Sequence, residues 1–371
     1  MHFQFFTIVS VGGNKNAVHA GTIRIVGFCL FAFHTAWSFS CSGTEPVTSD
    51  VTTSVNTPKE TGNTKDSFSV MSFNVLHPNR KDDEAGRGWD VRRDLVVKQI
   101  SAYRPDILLL QEVVSSDAEH TAEWLRERLA KEHSNIRYAV VAGAGDEPKD
   151  ILVNTRVFEV VFPKKMAGAE AYDVYGEGVL QTAGNPHSML NSFYLPPDPA
   201  TICSSEVNRS EPMSNRKNAS FALLRHRTTQ QELVVANVHL LWQFDWKQAA
   251  PIDNDLRVAQ LKCVSDVLHR RFGKTPKLIG GDFNSELGSP EISQLQSGFG
   301  DPDAAFVSTH FVTDSPDGTW TGFCEECRPT RRIDHIFVQH IKIVEPSRAL
   351  HQRFNGTWPS DHCPILGRFA L

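Results

Sequence analysis

An acid and an amide stand two positions apart in the stretch IGGDFNSE, at Asp282 and Asn284. The residues before them are typical of a short buried strand, and in an extended chain both side chains point to the same side. An aspartate can orient or deprotonate a water, and an asparagine can donate to an anion. The alternative is a polar turn in which both residues satisfy their own backbone. We interpret Gly280 and Gly281 as letting the backbone approach a ligand closely.

Other polar side chains with catalytic potential stand at the ends of further strand-like runs. They are Asn74, Glu112, His239, Asp334, Asp361 and His362. Open sheets often place their sites at strand ends. Taken singly, each residue has an ordinary explanation, such as a turn, a helix start or a buried histidine. Taken together, the oxygen ligands and histidines at successive strand ends favour a catalytic site.

The elements that must position these residues can be read from hydrophobic periodicity. The runs SFSVMSFNV, DILLLQEV, RYAVVA, DILVNT, VFEVVF, ASFALLRHR, QELVVANVHL, KLIGG, RIDHIFV, IKIVEPSRALHQ and HCPILGRFAL predict strands. Helices are predicted in AEHTAEWLRERLAKE, in DLRVAQLKCVSDVLHRRF and in WDVRRDLVVKQISAYRP, the last with Val91, Leu95, Val96 and Ile100 on one face. Periodicity alone does not distinguish two packed sheets from one doubly wound sheet.

The order of six motifs carries a resemblance to a known family. SFNV, PDILLLQEV, NVHL, GGDFNSE, RRIDHIFV and SDHCPI follow one another between residue 72 and residue 365. In this order they resemble the endonuclease/exonuclease/phosphatase family, which has the deoxyribonuclease I-like fold, from about residue 68 to the C-terminus. The resemblance implies a four-layer α/β sandwich, with two packed mixed sheets flanked by helices. It also implies a hydrolase of phosphate esters that depends on Mg²⁺ or Mn²⁺.

The resemblance also implies a role for each candidate residue. Asn74, Glu112 and Asp361 correspond to the metal site. Asp282 would orient or deprotonate the attacking water, and Asn284 would hydrogen-bond the phosphoryl oxygens. Asp334 would pair with His362, and His239 would donate toward the scissile phosphate or the leaving oxygen. Two departures from the family pattern are Leu76, where some members carry an Asp, and Val238, where a Thr is usual.

Substrate choice in this fold depends on loops, here mainly on residues 163–218. Arg216 and Lys217 are candidates to face a substrate phosphate, with a solvated turn as the alternative. An exported nuclease or general phosphodiesterase is the favoured function. The alternatives are a phosphomonoesterase or lipid phosphodiesterase of the inositol-phosphatase or sphingomyelinase kind, or a non-catalytic binding protein on the same fold. A phosphate ester, nucleic acid included, is the expected partner. We expect a monomer without an obligate protein partner.

The length and charge of the chain limit which of these functions are plausible. The chain has 371 residues and a net charge of -5, from 43 acidic and 38 basic residues. This length suits one large α/β domain. Proteins that coat nucleic acid are normally basic, so the charge argues against non-specific coating but not against a catalyst with a local positive patch.

The N-terminal residues differ in composition from the rest of the chain. Residues 1–41 predict an export signal, because the apolar run from Ile25 to Phe33 is too short to span a membrane. Cys41 is a candidate for lipidation, although SFSC lacks the usual Leu three positions earlier. Residues 42–66 predict a Ser/Thr-rich flexible tether, and residues 67–371 predict the enzyme domain. The protein is therefore expected to be exported, as a periplasmic, cell-envelope or secreted protein.

The motif CEEC places Cys324 and Cys327 at a spacing found in metal sites. A structural zinc site usually needs a second such pair, and the sequence has none. In an exported protein we therefore favour a small disulfide loop or reduced thiols over zinc.

Overall fold

A computed structural model describes most of the predicted domain. The described residues are 66–114, 121–141, 143, 148–162, 192–196, 217–242, 251–310, 317–324 and 329–371. They all lie in one compact unit, Thr57–Leu371. The predicted export signal, all but the last residue of the predicted tether, and most of the 163–218 segment lie outside the described residues.

The described residues form thirteen strands and five α-helices. The strands are β1 Ser67–Asn74, β2 Ile107–Gln111, β3 Tyr138–Val141, β4 Ile151–Asn154, β5 Phe158–Phe162, β6 Ser192–Tyr194, β7 Asn218–His226, β8 Glu232–His239, β9 Lys277–Asp282, β10 Val307–Ser308, β11 Asp334–Gln339, β12 Lys342–Ala349 and β13 Ile365–Ala370. The helices are α1 Arg80–Glu84, α2 Trp89–Tyr103, α3 Thr121–Glu132, α4 Pro251–Phe272 and α5 Pro290–Gln296. Within these residues, no helix is both long enough and apolar enough to cross a bilayer.

The strands form two mixed sheets of similar design. The first has the order β12-β13-β1-β2-β4-β3, and the second has the order β10-β11-β9-β8-β7-β5, with β6 paired to β7. Each sheet contains one parallel pair, β1 with β2 and β8 with β9. The other pairs are antiparallel. Helices connect each parallel pair, as a parallel crossover requires.

Side-chain alternation along the strands builds four layers. In β1, Phe68 and Val70 belong to a core shared by the two sheets, whereas Met71 and Phe73 belong to a core shared with α2 and α3. In β8, Val235 faces the first of these cores, and its neighbours face a third core with α4 and α5. Successive strand residues point to opposite faces, so each sheet is apolar on both sides. The predicted four-layer α/β sandwich is confirmed.

One predicted helix face is wrong in detail. The pattern in α2 placed Val91, Leu95, Val96 and Ile100 toward the core, but Val91 is 55% exposed. Arg92 and Gln99 are fully buried instead. The sequence also gave no signal for β6, β10, α1 or α5, which are short.

Candidate active site

The candidate residues converge because of the sheet topology. The carboxyl ends of β1, β2, β8 and β9 lie at one edge, and the antiparallel strands β11 and β13 begin there. The register pairs His239 with Asp282 in the second sheet, and Asp282 with Asp334. In the first sheet Asn74 pairs with Gln111, directly before Glu112. Residues far apart in sequence therefore meet at one polar edge.

Asn74 joins the two sheets at this edge. Its Nδ2 atom donates to Glu112 Oε1 at 2.9 Å and to Asp282 Oδ2 at 3.1 Å. Its Oδ1 atom accepts from the backbone N–H of Leu76 at 3.0 Å. Asn74 is fully buried and thereby holds two carboxylates in place. In this geometry the amide contacts the carboxylates by its donor, and its oxygen is engaged by the backbone.

Asp282 lies between two histidines. Its Oδ2 atom is 3.6 Å from His239 Nε2 and 3.8 Å from His362 Nε2. The Nδ1 atom of His362 lies 2.8 Å from Asp334 Oδ2, which is the contact expected from the sequence. All four side chains are buried. The Nδ1 atom of His239 and the Oδ1 atom of Asp334 have no hydrogen-bond partner among the described residues.

The protonation states of these groups differ. Burial, and then the charge of Asp334, raises the pKa of Asp282 to about 7. Burial opposes the charge of His362, but Asp334 and then Asp282 hold its pKa well above the usual range. Burial, and then the charge of Lys217, holds the pKa of His239 well below its usual range. At neutral pH the site therefore combines a carboxylate close to its pKa, an imidazolium and a neutral imidazole.

Glu112 marks the more open side of the site. Its side chain is 16% exposed, and its Oε2 atom lies 2.6 Å from His77 Nδ1. Burial alone would raise the pKa of Glu112, but the hydrogen bonds from His77 and Asn74 bring it well below the usual range. The backbone of Glu112 has a φ of 56°, which is uncommon for a residue with a Cβ atom. Such backbone strain is frequent at functional sites.

The geometry assumed for Asp282 and Asn284 is wrong. Strand β9 ends at Asp282, and Asn284 adopts a φ of 51° in the left-handed region. The backbone N–H of Asn284 donates to Asp282 Oδ1 at 2.8 Å, and its Nδ2 atom donates to Leu240 O at 3.1 Å. The two residues thus form a local turn and still lie at the site. The turn and the site are therefore not alternatives.

The two preceding glycines have a packing role that the sequence did not indicate. A Cβ atom on Gly280 would meet Leu109 Cδ1 of the opposite sheet at 2.5 Å. A Cβ atom on Gly281, whose φ is 148°, would lie 1.9 Å from Val238 O in the neighbouring strand. These glycines therefore allow close packing within the protein.

Asp361 and Lys217 also lie at or near this edge. The Oδ1 atom of Asp361 lies 3.2 Å from Ser360 Oγ. Burial raises the pKa of Asp361, and the charge of Glu112 raises it further against the effect of His362. Lys217, just before β7, is buried and its charge acts on His239. Arg216 lies outside the described residues.

Three residues that contact or influence the site were not predicted from the sequence. His77 contacts Glu112, and the charge of the fully buried Lys149 acts on His239. Gln111 donates to Asn237 Oδ1 at 2.7 Å and so links the two sheets beneath the site. Lys149 could have been noticed from its position directly before the predicted strand DILVNT. The contacts of His77 and Gln111 depend on how the sheets pack.

Two arrangements at this edge could hold a cation. One ligand atom from each of Asp282, Asp334 and His362 lies within 4.8 Å of the others. In this set Asp334 Oδ2 and His362 Nδ1 already contact each other at 2.8 Å. Glu112 and Asp361 are two carboxylates whose charges repel each other, and a hard cation relieves that repulsion. Carboxylate oxygens are suitable ligands for Mg²⁺ or Mn²⁺. We therefore favour Glu112 and Asp361 as the residues that would hold the cation.

The expectation of a small disulfide loop or reduced thiols in the CEEC motif can be addressed in part. Cys324 is disulfide-bonded, and so is Cys263. A cysteine sulfur in a disulfide is not a zinc ligand, so Cys324 is neither a reduced thiol nor a zinc ligand; the loop within CEEC stays a prediction. Cys327 lies outside the described residues.

Comparison with known proteins identifies relatives by sequence. Protein angel homolog 2 of Mus musculus is 23% identical over 304 residues, which cover 77% of this chain and 45% of that protein. The CCR4-Not complex 3'-5'-exoribonuclease subunit Ccr4 of Kluyveromyces lactis is 24% identical over 259 residues, covering 63% of this chain and 29% of that protein. The chain thus spans less than half the length of these relatives.

Comparison of structures gives the same fold. An endonuclease/exonuclease/phosphatase family protein from Bacteroides thetaiotaomicron superposes with a TM-score of 0.57 at 17% identity, over 82% of this chain and 98% of that chain. The sequence model of the Endonuclease/Exonuclease/phosphatase family matches residues 71–362. The protein belongs to the Endonuclease/Exonuclease/phosphatase family, whose members are hydrolases of phosphate esters.

Proposed function

We propose that this protein is an exported, divalent-metal-dependent phosphodiesterase that cleaves nucleic acid, RNA above all. One observation carries the reaction type: Asp282, with a pKa of about 7, lies 3.8 Å from a histidine that Asp334 holds in its protonated form. A base near its pKa and a fixed positive charge are what an in-line attack of water on phosphorus needs.

Each residue has a role in this scheme. Asp282 accepts the proton of the attacking water, and the His362–Asp334 pair supplies positive charge to the phosphoryl oxygens. His239 is neutral and offers a single N–H toward the phosphate or the leaving oxygen. Glu112 and Asp361 would hold Mg²⁺ or Mn²⁺. When bound, such a cation supplies further positive charge for the phosphate.

Three features support a nucleic-acid substrate. The sequence relatives include proteins named as 3'-5'-exoribonuclease subunits. Lys149 and Lys217 place positive charge next to His239, although the whole chain has a net charge of -5. Trp320 is 38% exposed and pairs with His362 in an antiparallel bridge, so its side chain lies on the same face as this histidine. An indole at that position can stack with a base.

The experiment uses the purified protein and a panel of substrates. A labelled single-stranded RNA, the matching DNA, bis(p-nitrophenyl) phosphate and sugar monophosphates would be incubated with Mg²⁺ or with EDTA. We expect cleavage of RNA that requires Mg²⁺ or Mn²⁺ and stops in EDTA. Release of phosphate from the monoesters without cleavage of RNA would contradict the proposal and favour a phosphomonoesterase.

Export is proposed on separate grounds. The disulfide-bonded state of Cys263 and Cys324 is typical of an oxidising compartment, and it agrees with the export signal expected in residues 1–41. Fractionation of cells that express the full chain tests this part. We expect to recover the protein in the cell envelope or the medium. If a radioactive fatty acid labels the protein and a Cys41→Ser substitution abolishes the labelling, Cys41 is lipidated. A protein that remains in the cytosol would contradict export.

A further inference from the structure

Arg92 is a fully buried arginine whose role the candidate site leaves open. Its guanidinium donates four hydrogen bonds, and all four acceptors are backbone carbonyls. Nε donates to Arg87 O at 2.7 Å, and Nη2 donates to Leu76 O at 3.0 Å. Nη1 donates both to Val75 O at 2.8 Å and to Pro359 O at 3.0 Å. A planar guanidinium can make such divergent bonds at once, and an ammonium cannot reproduce them.

Three of the four acceptors belong to two segments that carry metal-site candidates, and the fourth, Arg87 O, lies just before α2. Val75 and Leu76 follow Asn74, whereas Pro359 precedes Asp361 by two positions. Nη1 thus joins segments that are 284 positions apart in sequence, residues 75 and 359, through a single nitrogen. Arg92 therefore holds the loop after β1 and the loop before β13 together by hydrogen bonds.

A second link connects the same two segments. Ser360 Oγ donates to Asn74 O at 2.8 Å, and the backbone N–H of His362 donates to Ser360 Oγ at 3.2 Å. Leu76 has a φ of 57°, a conformation that a leucine adopts only when its surroundings enforce it. The two links supply that constraint at the point where the chain leaves β1.

Aromatic rings surround the buried cation. The guanidinium carbon of Arg92 lies 5.8 Å from the ring centroid of Trp89 and 5.8 Å from that of Phe323. Its positive charge is felt by the carboxylates of Asp361 and Glu112. The charge is thus buried and acts on both carboxylates.

We propose that Arg92 is a positioning residue, which fixes the loop after Asn74 against the loop before Asp361. Because the side chain of Asn74 holds Glu112, Arg92 thereby sets the spacing of Glu112 and Asp361 for the divalent cation. This inference rests on the proposed metal dependence. Outer residues that orient metal ligands typically change metal affinity by 10- to 100-fold when they are replaced.

The test measures Mn²⁺ binding by calorimetry in the absence of substrate, with Tm and kcat measured on the same preparations. Arg92→Lys keeps the charge but loses the divergent bonds. We expect it to weaken Mn²⁺ binding by about tenfold or more and to lower kcat at saturating Mn²⁺. Lys277→Gln is the matched control, because Lys277 is also fully buried and donates to two backbone carbonyls, Gly273 O and Thr275 O, at the far end of β9.

The control should lower the Tm and leave Mn²⁺ affinity unchanged. If Arg92→Lys is folded by near-UV circular dichroism and binds Mn²⁺ as the parent does, the proposal is overturned. If Arg92→Lys does not fold, Ser360→Ala removes the other link between the two loops with little change in volume. It should weaken Mn²⁺ binding in the same direction, and unchanged affinity would overturn the claim that these loops set the site.

The two proposals fail in distinguishable ways. A parent protein that binds Mn²⁺ but cleaves no phosphodiester refutes the proposed function and leaves the binding test of Arg92 intact. A parent protein that binds no Mn²⁺ refutes both the metal dependence and the role of Arg92.

Discussion

Replacement of Asp334 by asparagine tests the central pair of the site. The change keeps the size of the side chain and removes the charge that lies 2.8 Å from His362 Nδ1. Hydrogen bonds that involve a charged group contribute about 1.5–3 kcal/mol. If the bond is needed in the transition state, its loss lowers kcat by about 10- to 150-fold. Both side chains are almost completely buried, so solvent screens the pair little, and we expect the upper part of this range.

The pH profile gives an independent readout of the same change. Apart from the opposing effect of burial, Asp334 is the largest influence on the pKa of His362, and it raises that pKa. Without its charge the pKa of His362 falls, so the alkaline limb of the kcat profile should move to lower pH. RNA cleavage at saturating Mg²⁺ would be followed from pH 5 to pH 9. Asp266→Asn, on the exposed surface of α4, is the control.

A variant that retains the parental kcat and the parental alkaline limb would refute the reasoning. Equal loss of kcat in the Asp266→Asn control would also refute it, because the effect would then not depend on the pair. A lower Tm with unchanged kcat per folded molecule would assign Asp334 to stability alone.

Four further predictions concern separate groups. Glu112→Gln should raise the Mg²⁺ concentration for half-maximal activity at least tenfold, and an unchanged titration would exclude Glu112 as a ligand. Asp282→Asn should lower kcat by about 100-fold or more, about 2.7 kcal/mol, with a small change in Tm; normal turnover would remove Asp282 from the reaction. Trp320→Ala should raise the KM for RNA more than the KM for bis(p-nitrophenyl) phosphate, and equal effects on both substrates would argue against stacking. Burial, followed by the charge of Arg332, lowers the pKa of His335 to about 3, so the folded state binds fewer protons than the unfolded state below pH 6.5 and stability falls as the pH drops from there toward 3. His335→Phe should flatten the dependence of Tm on pH between 7 and 4, and identical slopes would contradict this.

Much of the fold could be predicted because its strands are buried on both faces. Continuous apolar runs such as the ILLL of β2 stand out in the sequence. The order of the six motifs then indicates the family to which the strands belong. The face of α2 could not be predicted from hydrophobicity. Arg92 is buried because four carbonyls require its donors, and these acceptors become neighbours only after the sheets have packed.

The site was predictable to the level of residue types at strand ends. The contact between Asp334 and His362 was expected from the family resemblance, and it joins β11 of the second sheet to the loop before β13 of the first sheet. The left-handed backbone of Asn284 accompanies its contacts with Asp282 and Leu240 within the second sheet. The close approach of Leu109 to Gly280 depends on packing between the sheets, which no local pattern encodes. His77 was missed because its contact with Glu112 depends on the course of the loop after β1.

The long-range contacts of Asn74 have a consequence for folding. This residue meets Asp282 across 208 positions of the chain, and its carbonyl meets Ser360 across 286 positions. Contacts between distant segments form slowly, because the entropy of closing large loops must be lost before the contacts are gained. Strand β1 also pairs with β13, so the first sheet is incomplete until the last strand has docked. Catalytic competence should therefore appear only at the end of folding, and the regain of activity after dilution from denaturant should coincide with the slowest phase seen by near-UV circular dichroism.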